Sequence, residues 1–416
     1  MIMSQYKAIL IVLDGIGDRP IFEFDNKTPL QSANTPNLDK LVKEGSCGIM
    51  DVLAAGIPVG SDLAHLILFG YHQDREYPGR GPLEALGVGI DLGPNSLALR
   101  GNLAYIDSNK VIIDRRAGRD IPEADDYIET LKGIKFDEFP DISFEFKHST
   151  EQRVACIIKG KGLSAEVSST NPNKNYVPIA ECVPLDGSKE AKVTAKIINL
   201  LSDKIIEKLK GHPHNQTRKD NGLPLVNSIL FHGAGISKQV ESVRERHAIK
   251  VACVTGNGLI KGVCRYIGIE LLECEGATGT VSTNLKAKVE TILENYENFD
   301  LTFLHIKGTD SPGHDRQPEV KRWFIERVDT ALGELVQKID EHTFIFITGD
   351  HSTPCNKGDH SGDPVPILMW GPTVLEDHVN KYDEINCASG YLSRINGSYY
   401  FNLILNKIDK LKKFGA

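Results

Sequence analysis

The sequence predicts an α/β fold in which a mostly parallel sheet carries helices on both faces and is interrupted by a smaller inserted α+β domain. A continuous apolar run at 8–13 and similar, largely apolar runs at 301–306, 344–348 and 366–370 are bounded by turn residues. Such runs are typical of parallel strands that are buried on both faces. A long helix is predicted at about 318–340, and strands that alternate with helices favour a parallel sheet.

The long helix is predicted from the spacing of its apolar residues. They recur at intervals of three and four positions, which places them on one face of a helix. We expect that face to pack on the sheet. The residues are Val320, Phe324, Val328, Leu332 and Leu335.

The middle of the chain has a different pattern from its two ends. Short strands are predicted at 143–147 and 153–159, a helix at about 189–210, and a polar linker at 211–222. This alternation predicts a separate α+β domain.

The domain boundaries are predicted from this change of pattern. Residues 106–221 are assigned to the inserted domain, and residues 1–105 and 222–416 to one discontinuous domain. A chain of 416 residues is too long for one ordinary core, so two domains are expected.

Composition and charge exclude several classes of protein. The net charge is −8, whereas nucleic-acid or membrane-surface binding needs a basic face, so neither partner is expected. No apolar run is long enough to span a bilayer, and Met1–Lys7 carries no signal-peptide pattern. The eight cysteines form no Cys-x-x-Cys pair and are expected to be reduced. We expect a cytoplasmic protein, whose oligomeric state the sequence leaves open.

Acidic and imidazole side chains follow several of the predicted strands. Because parallel strands end at the same edge of a sheet, residues that follow them come close together. Mixed carboxylate and imidazole ligands suit Mn²⁺ or Zn²⁺, and two such ions can clamp the attacking and leaving oxygens of a phosphoryl transfer. The candidate ligands are Asp14, Asp310, His314, Asp350, His351 and His360.

Ser61 is the candidate nucleophile. The step Gly60-Ser61 precedes an apolar helical pattern that runs through Phe69, which places Ser61 at the start of a helix. Unpaired backbone N–H groups and the helix dipole there favour an alkoxide and a bound phosphate. The alternative is that Ser61 merely caps the helix. The metal ligands in the same chain favour the nucleophile.

Seven short segments carry a further signal. They are Val12–Asp18, Thr35–Asp39, Gly60–Asp62, Gly79–Ala85, Asp114–Arg119, His305–Asp310 and Asp350-His351. Together they resemble the alkaline phosphatase superfamily and, within it, the archaeal-type cofactor-independent phosphoglycerate mutases. The resemblance covers nearly the whole chain. The segments Gly79–Ala85 and Asp114–Arg119 are the specific ones, because the metal motifs alone indicate only the superfamily.

The resemblance implies an alkaline-phosphatase-like core and two divalent metal ions. Mn²⁺ is the first expectation, with Zn²⁺, Co²⁺ and Mg²⁺ as alternatives, and no 2,3-bisphosphoglycerate is required. The ligands of one ion would be Asp310, His314 and His360. The ligands of the other would be Asp14, Asp350, His351 and the Ser61 oxygen.

The resemblance also implies a reaction, the interconversion of 3-phosphoglycerate and 2-phosphoglycerate in glycolysis and gluconeogenesis. Ser61 would take the phosphoryl group from the 3-position and return it to the 2-hydroxyl. The glycerate must stay bound in between, so the inserted domain is expected to bind the substrate and to close.

Basic side chains are the candidates for binding this anionic substrate, because a planar guanidinium group matches phosphate and carboxylate. His65, one helical turn after Ser61, is expected either to touch the substrate or to be a core histidine. The full set is His65, Arg80, Arg115, Arg116, Arg119, Arg153 and Lys307.

Two departures from the family pattern leave alternatives open. His232 stands where the family has an arginine before Gly-Ala-Gly, and Ser311-Pro312 replaces an acidic and a small residue. The first departure puts one substrate contact in question. The alternatives are a metal-dependent phosphatase, a mutase for another phosphorylated metabolite, and a non-enzymatic binding protein on the same scaffold.

Overall fold

The computed structural model describes residues 6–413 and Gly415. These residues divide into two compact units. The first unit contains the chain up to Tyr77 and from Val240 onward, and the second contains Pro78–Gln239. The prediction of no signal peptide falls largely on residues 1–5, which lie outside the described residues. Among the described residues no helix is both long and apolar enough to cross a membrane.

Thirteen strands lie within the described residues. In chain order they are β1 Lys7–Leu13, β2 Ser46–Asp51, β3 Ser96–Ile106, β4 Ile112–Asp114, β5 Ser143–His148, β6 Arg153–Lys159, β7 Ser228–Ile236, β8 Val251–Val254, β9 Glu270–Leu271, β10 Leu301–Ile306, β11 Thr343–Thr348, β12 Val365–Trp370 and β13 Ser393–Asn396.

The described part of the chain also forms fifteen α-helices, with short 3₁₀ turns at Phe22–Phe24, Tyr296–Asn298 and Gly397–Tyr399. The helices are α1 Pro29–Ser32, α2 Pro36–Lys43, α3 Ser61–Leu68, α4 Gln73–Glu76, α5 Arg80–Gly87, α6 Ala124–Glu129, α7 Lys189–Leu209, α8 Pro213–Asp220, α9 Val243–His247, α10 Gly258–Tyr266, α11 Leu285–Asn295, α12 Asp310–His314, α13 Pro318–Val336, α14 Glu384–Cys387 and α15 Tyr400–Lys407.

The first unit is built on an eight-stranded sheet in the order β13-β2-β12-β11-β1-β10-β8-β9. From β11 to β9 all neighbours are parallel, as the apolar runs predict. The prediction for 366–370 was wrong in direction, since β12 runs antiparallel to both β11 and β2. A run of apolar residues reports burial on both faces and does not report strand direction.

Both faces of this sheet are covered by helices, which confirms the predicted layering. Alternate residues of β1, Ile9 and Ile11, join a core with Phe324 and Val328 of α13. On the opposite face, the ring of Phe303 in β10 packs against Phe69, next to α3. Because successive residues of a strand point to opposite faces, each strand here needs apolar residues throughout.

The buried ammonium group of Lys321, in α13, ties two loops at one edge of the sheet together. It donates to the Gly17 carbonyl at 3.1 Å, to Asp18 Oδ2 at 2.9 Å and to the Thr353 carbonyl at 3.0 Å. A buried charge is tolerated only when such partners replace its water. The loops that follow β1 and β11 are therefore held in one arrangement.

The second unit is built on a five-stranded sheet in which β3 is central. Strand β3 pairs antiparallel with β4, β6 and β7, and β5 pairs antiparallel with β6. The structure puts the ends of this unit at Pro78 and Gln239, outside the predicted 106 and 221. The difference arises because β3 and β7 flank the predicted insert in the sequence but pair with each other in space.

Helix α5 lies against one face of this second sheet, and two glycines of the motif Gly79–Ala85 allow the approach. A Cβ atom on Gly81 would lie 2.2 Å from the carbonyl oxygen of Ala98 in β3. Gly79 has a φ of +91° and borders Ala234. The opposite face is covered by α6 and α7, whose apolar residues form a core with Leu97 and Ile158.

The stretch 211–222, predicted to be a polar linker, forms the helix α8 instead. Its Arg218 is 2% exposed and donates to the carbonyls of Pro224 and Ala117, at 2.7 and 2.8 Å, and to Glu123 at 2.9 Å. A polar sequence can be buried when each polar group finds a partner, and sequence pattern alone does not show those partners.

Replacing Gly81 with alanine is expected to destabilise the second unit, because the new Cβ would overlap the backbone of β3. Forced overpacking costs about 1–3 kcal/mol, which should lower the thermal unfolding midpoint. Gly187→Ala is the matched control, since a Cβ there meets nothing within 4 Å. Equal midpoints for the two variants in calorimetry would contradict this packing.

Candidate metal centre and arginine face

Six predicted ligands of the first unit lie in two groups at one edge of its sheet. In one group the donor atoms of Asp14, Asp350 and His351 lie within 4.8 Å of one another. In the other, those of Asp310, His314 and His360 meet the same limit. The structure thus brings the residues together in the same two sets that the family resemblance implies.

The pairing of parallel strands positions the first group. Leu13 of β1 pairs with Ile306 of β10, and Val12 pairs with Thr348 of β11, so these strands end side by side. Asp14 directly follows β1, and Asp350 is the second residue after β11. The backbone N–H of Gly15 donates to Asp350 Oδ1 at 3.0 Å, which joins the two strand ends.

The second group lies on the short helix α12 and on the loop before β12. Asp310 and His314 are the first and last residues of α12, one helical turn apart, with His314 Nε2 at 3.3 Å from Asp310 Oδ1. The His360 ring stacks on the His351 ring with centroids 3.6 Å apart, which places the two groups side by side.

In each of the three candidate ligand histidines, His314, His351 and His360, hydrogen bonds leave Nε2 as the nitrogen without a proton. The Nδ1–H groups of His314 and His360 donate to the carbonyls of Gly358 and Val59, at 3.1 and 2.8 Å. A carbonyl only accepts, so the proton must lie on Nδ1. The lone pair on each Nε2 is thereby available for a metal ion.

Thr353 sets the same tautomer for His351 and links the two groups. Its hydroxyl donates to Asp310 Oδ1 at 2.7 Å, so its oxygen accepts from His351 Nδ1 at 3.1 Å. Sequence reasoning missed Thr353. Its position two residues after His351 was the available signal, but a threonine after a strand is too common to single out.

Lys307, a predicted substrate residue, bridges the two groups. Its ammonium lies 3.2 Å from both Asp14 carboxylate oxygens and 2.7 Å from Asp310 Oδ2. Burial opposes its charge, but Asp14 and Asp310 outweigh burial and raise the pKa of Lys307. Burial also opposes the charges of both aspartates, and Lys307 is the largest influence that lowers their pKa values.

The side-chain environment of Asp350 indicates that the Asp14, Asp350 and His351 group suits a cation. The side chain is fully buried, and its Oδ2 atom has no hydrogen-bond partner among the described residues. Burial and the neighbouring Asp14 raise the pKa of Asp350. A buried carboxylate oxygen with no donor is a strong ligand for a divalent ion, and the mixed oxygen and nitrogen donors fit Mn²⁺ or Zn²⁺.

Ser61 is the first residue of α3, as predicted, and Gly60 occupies the N-cap position. The Ser61 side chain does not cap the helix. Its Oγ lies 3.0 Å from His351 Nε2, on the first group of ligands. The simple capping alternative is therefore wrong, and the hydroxyl points at the site.

His65 was predicted to touch substrate or to lie in the core, and the structure places it in the core. It is fully buried, and its Nδ1–H donates to the Ser61 carbonyl at 2.7 Å. Its ring lies 5.1 Å from that of His305. Burial, followed by the proximity of His305, lowers the pKa of His65 to about 3, so the ring is neutral. Its assignment as a substrate contact is corrected.

In the second unit, one sheet face collects basic side chains around Glu84. Arg80 Nε and Arg100 Nη1 each lie 3.4 Å from Glu84 Oε1. Arg153 follows on the same face, since it pairs with Asn102, two residues after Arg100. Burial opposes the Glu84 charge, but Arg100 and then Arg80 outweigh burial and lower its pKa.

Arg100, which sequence reasoning missed, lies beside His232, the residue at which the chain departs from the family pattern. The two residues are direct cross-strand partners in β3 and β7. Burial and then Arg100 lower the pKa of His232 to about 3, so the histidine is neutral. A guanidinium is therefore present next to position 232, on the neighbouring strand. Because Arg100 is 132 positions from His232 in the chain, the sequence gives no indication that the two side chains are neighbours.

The cluster at 114–119 forms a tight turn in the second unit. The Asp114 carboxylate accepts from the N–H groups of Arg116 and Gly118, at 2.8 and 2.9 Å. Arg115 bonds to Asn173 through its side chain and to Asn175 through its backbone. Arg115, Arg116 and Arg119 are all partly exposed.

Comparisons with known proteins agree with this geometry. The model of the metalloenzyme superfamily matches residues 6–407. A relative from Ignicoccus hospitalis, named 2,3-bisphosphoglycerate-independent phosphoglycerate mutase, is 44% identical, with 100% of both chains covered. A relative from Methanocaldococcus jannaschii with the same name, numbered 1, is 42% identical at the same coverage.

Two solved structures are also similar to this chain. The cofactor-independent phosphoglycerate mutase of Thermoplasma acidophilum is 33% identical with a TM-score of 0.67, and the match covers 96% of this chain and 99% of that one. A protein from Pyrococcus horikoshii is 36% identical with a TM-score of 0.84, and the match covers 99% of this chain and all of the other.

Removing one ligand from each group is expected to remove one metal ion at a time. The wild-type chain should bind two Mn²⁺ ions in titration calorimetry, and Asp310→Asn and Asp350→Asn should each bind one, because each group holds its own ion. Asp315→Asn, an exposed residue next to His314, is the control and should bind two. Two equivalents in either ligand variant would refute the division of ligands.

Proposed function

We propose that this chain, which belongs to the metalloenzyme superfamily and within it to the 2,3-bisphosphoglycerate-independent phosphoglycerate mutases, interconverts 3-phosphoglycerate and 2-phosphoglycerate through a phosphoserine on Ser61. The observation that carries this mechanism is the position of the Ser61 hydroxyl. It lies at the start of α3 and 3.0 Å from His351, beside two groups of ligands.

Two divalent ions fit the first unit, and we assign them to the two groups of ligands. Asp310, His314 and His360 would hold one ion, and Asp14, Asp350, His351 and the Ser61 oxygen would hold the other. When bound, the ions would neutralise phosphoryl charge and lower the pKa of the serine hydroxyl. Mn²⁺ is the expected ion, because the donor set mixes carboxylates and imidazoles.

The protein side chains account for the transfer itself. The Ser61 oxygen gives up its proton and forms a bond to phosphorus as the bond from phosphorus to the 3-oxygen breaks, and the 3-oxygen takes up one proton. In the second step the 2-hydroxyl oxygen gives up its proton and forms a bond to phosphorus as the bond from phosphorus to the Ser61 oxygen breaks, and the Ser61 oxygen takes up one proton. Lys307, which already bridges two carboxylates, supplies positive charge to the phosphoryl oxygens.

We assign substrate binding to arginines of the second unit. Arg100 and Arg153 share one sheet face, where Arg80 of α5 joins Arg100 at Glu84. Arg115, Arg116 and Arg119 share one turn. A planar guanidinium binds a carboxylate or phosphate through two parallel hydrogen bonds. Such contacts would retain the glycerate between the two transfers, and a closing movement of this unit would keep water out.

The alternative is a phosphatase, in which water takes the phosphoryl group from Ser61. It shares the nucleophile and the ions with the mutase and differs in whether the glycerate is retained. The arginine face favours retention, since a phosphatase does not need to hold its dephosphorylated product.

Purified protein with Mn²⁺ is expected to convert 3-phosphoglycerate into 2-phosphoglycerate, and Ser61→Ala is expected to lose at least about 10³-fold in kcat, because the attacking oxygen is gone. Product formation is measured by NMR, together with release of inorganic phosphate. Ser398→Ala, an exposed serine of the same unit, is the control. Phosphate release without 2-phosphoglycerate would establish the phosphatase, and full turnover by Ser61→Ala would refute the serine mechanism.

Arg100→Met is expected to raise KM for 3-phosphoglycerate by at least about tenfold, since a hydrogen bond to a charged group contributes about 1.5–3 kcal/mol. Lys159→Met is the matched control. It removes a positive charge from the same face of the same sheet, at the far end of β6. Circular dichroism checks that both variants fold. An equal KM in the two variants would remove Arg100 from the substrate site.

A further inference from the structure

We propose that His305 is a positioning residue that, together with Thr255, orients the Asp14 carboxylate toward its metal ion. The His305 Nε2 atom lies 2.9 Å from Asp14 Oδ2, and its Nδ1 atom lies 3.0 Å from the Thr255 hydroxyl. His305 and Asp14 are fully buried, and Thr255 is nearly so. This inference rests on the proposed role of Asp14 as a ligand.

Three neighbouring strands place these residues at one level of the sheet. His305 lies in β10 and pairs with Val12 of β1. Asp14, two residues after Val12, points to the same face as His305. On the other side, Leu304 pairs with Val254 at the end of β8, so Thr255 comes next to His305. The relay runs across the sheet from β8 to β1.

The direction of each hydrogen bond follows from the partners. A carboxylate only accepts, so His305 Nε2 carries the proton and donates it to Asp14. The Thr255 oxygen already accepts from the backbone N–H of Asn257 at 3.1 Å. Since a neutral imidazole carries one proton and it lies on Nε2, Nδ1 accepts and the Thr255 hydroxyl donates to it. This order of donors is opposite to that in the three ligand histidines, whose protons lie on Nδ1.

Two further contacts keep the imidazole ring in place. The buried Lys288 ammonium donates to the His305 carbonyl at 2.8 Å, which anchors the backbone of β10 at this residue. The ring of His65 lies 5.1 Å away on the same face. Asn257 caps α10 through its side chain, so the turn that holds Thr255 is itself fixed.

This arrangement gives His305 a task distinct from ligation. Asp14 would offer Oδ1 to the ion, since Oδ1 is the oxygen nearer His351 Nε2, at 3.5 Å, while Oδ2 is engaged by His305. A hydrogen bond to the second oxygen of a ligating carboxylate fixes its orientation. Loss of such a partner typically costs about 10–100-fold in metal affinity.

The test is Mn²⁺ titration calorimetry of the metal-free full chain in a His360→Ala background, which leaves the Asp14 group as the intact one. Thr255→Val is expected to weaken Mn²⁺ binding there by about tenfold or more, and His305→Leu by at least as much. Thr255→Ser keeps the hydroxyl and should bind as its parent does. His305→Gln, whose amide N–H can still reach Asp14, should recover most of the affinity.

Each outcome has one meaning. If Thr255→Val and His305→Leu bind Mn²⁺ as tightly as the parent, while Asp14→Asn abolishes binding, the positioning role is wrong and the ligand role of Asp14 stands. If Asp14→Asn leaves binding intact, the ligand assignment itself fails.

A second titration distinguishes a general loss of structure from a specific effect on the Asp14 group. It uses an Asp350→Asn background, which keeps the Asp310 group. Thr255→Val and His305→Leu should leave the remaining affinity unchanged there. An equal loss at both groups would show a merely structural role and overturn the proposal. Thermal unfolding of each variant accompanies the titrations, and the conservative Thr255→Val and Thr255→Ser pair keeps the test decisive if His305→Leu does not fold.

Discussion

The parallel pairing of β1 with β10 and β11 is the constraint on which the rest of the metal centre depends. This pairing brings the ends of three strands together, although paired residues of β1 and β10 are 293 positions apart in the chain and those of β1 and β11 are 336 apart. Asp14, Lys307 and Asp350 follow these ends. The carboxylates of Asp14, Asp310 and Asp350 then share a small buried volume, and their mutual repulsion must be offset by cations. Lys307 provides one such charge, and the proposed divalent ions would provide the others.

Protons in this centre are assigned by the surrounding hydrogen bonds. Backbone carbonyls and Thr353 place a proton on Nδ1 of each ligand histidine, and so leave Nε2 available. His305 carries its proton on Nε2 and donates it to Asp14. The same residue type is therefore set up either to offer a lone pair on Nε2 or to donate from Nε2, and the difference lies in the partner of each ring nitrogen.

Much of the fold and of the centre was predictable, for identifiable reasons. Apolar runs and helical spacing located β1, β10, β11, α7 and α13, although α13 ends at Val336 and not near 340. The six candidate ligands were singled out because acidic and imidazole residues recur after several predicted strands, which is much rarer than one polar residue after one strand. The direction of β12 and the extent of the second unit were missed, since antiparallel pairing with β2 and the pairing of β3 with β7 depend on distant partners.

By itself, the sequence determined the fold class, the family, and the candidate ligands and candidate nucleophile, because periodicity, strand-end chemistry and motif spacing are local properties. Only the tertiary structure decided what distant side chains do to one another. It buried His65, set Arg100 beside a neutral His232, and joined Thr255 and His305 to Asp14. A hydrogen bond or an ion pair depends on distances of a few ångströms between residues far apart in the chain, and those distances exist only once the sheets have formed.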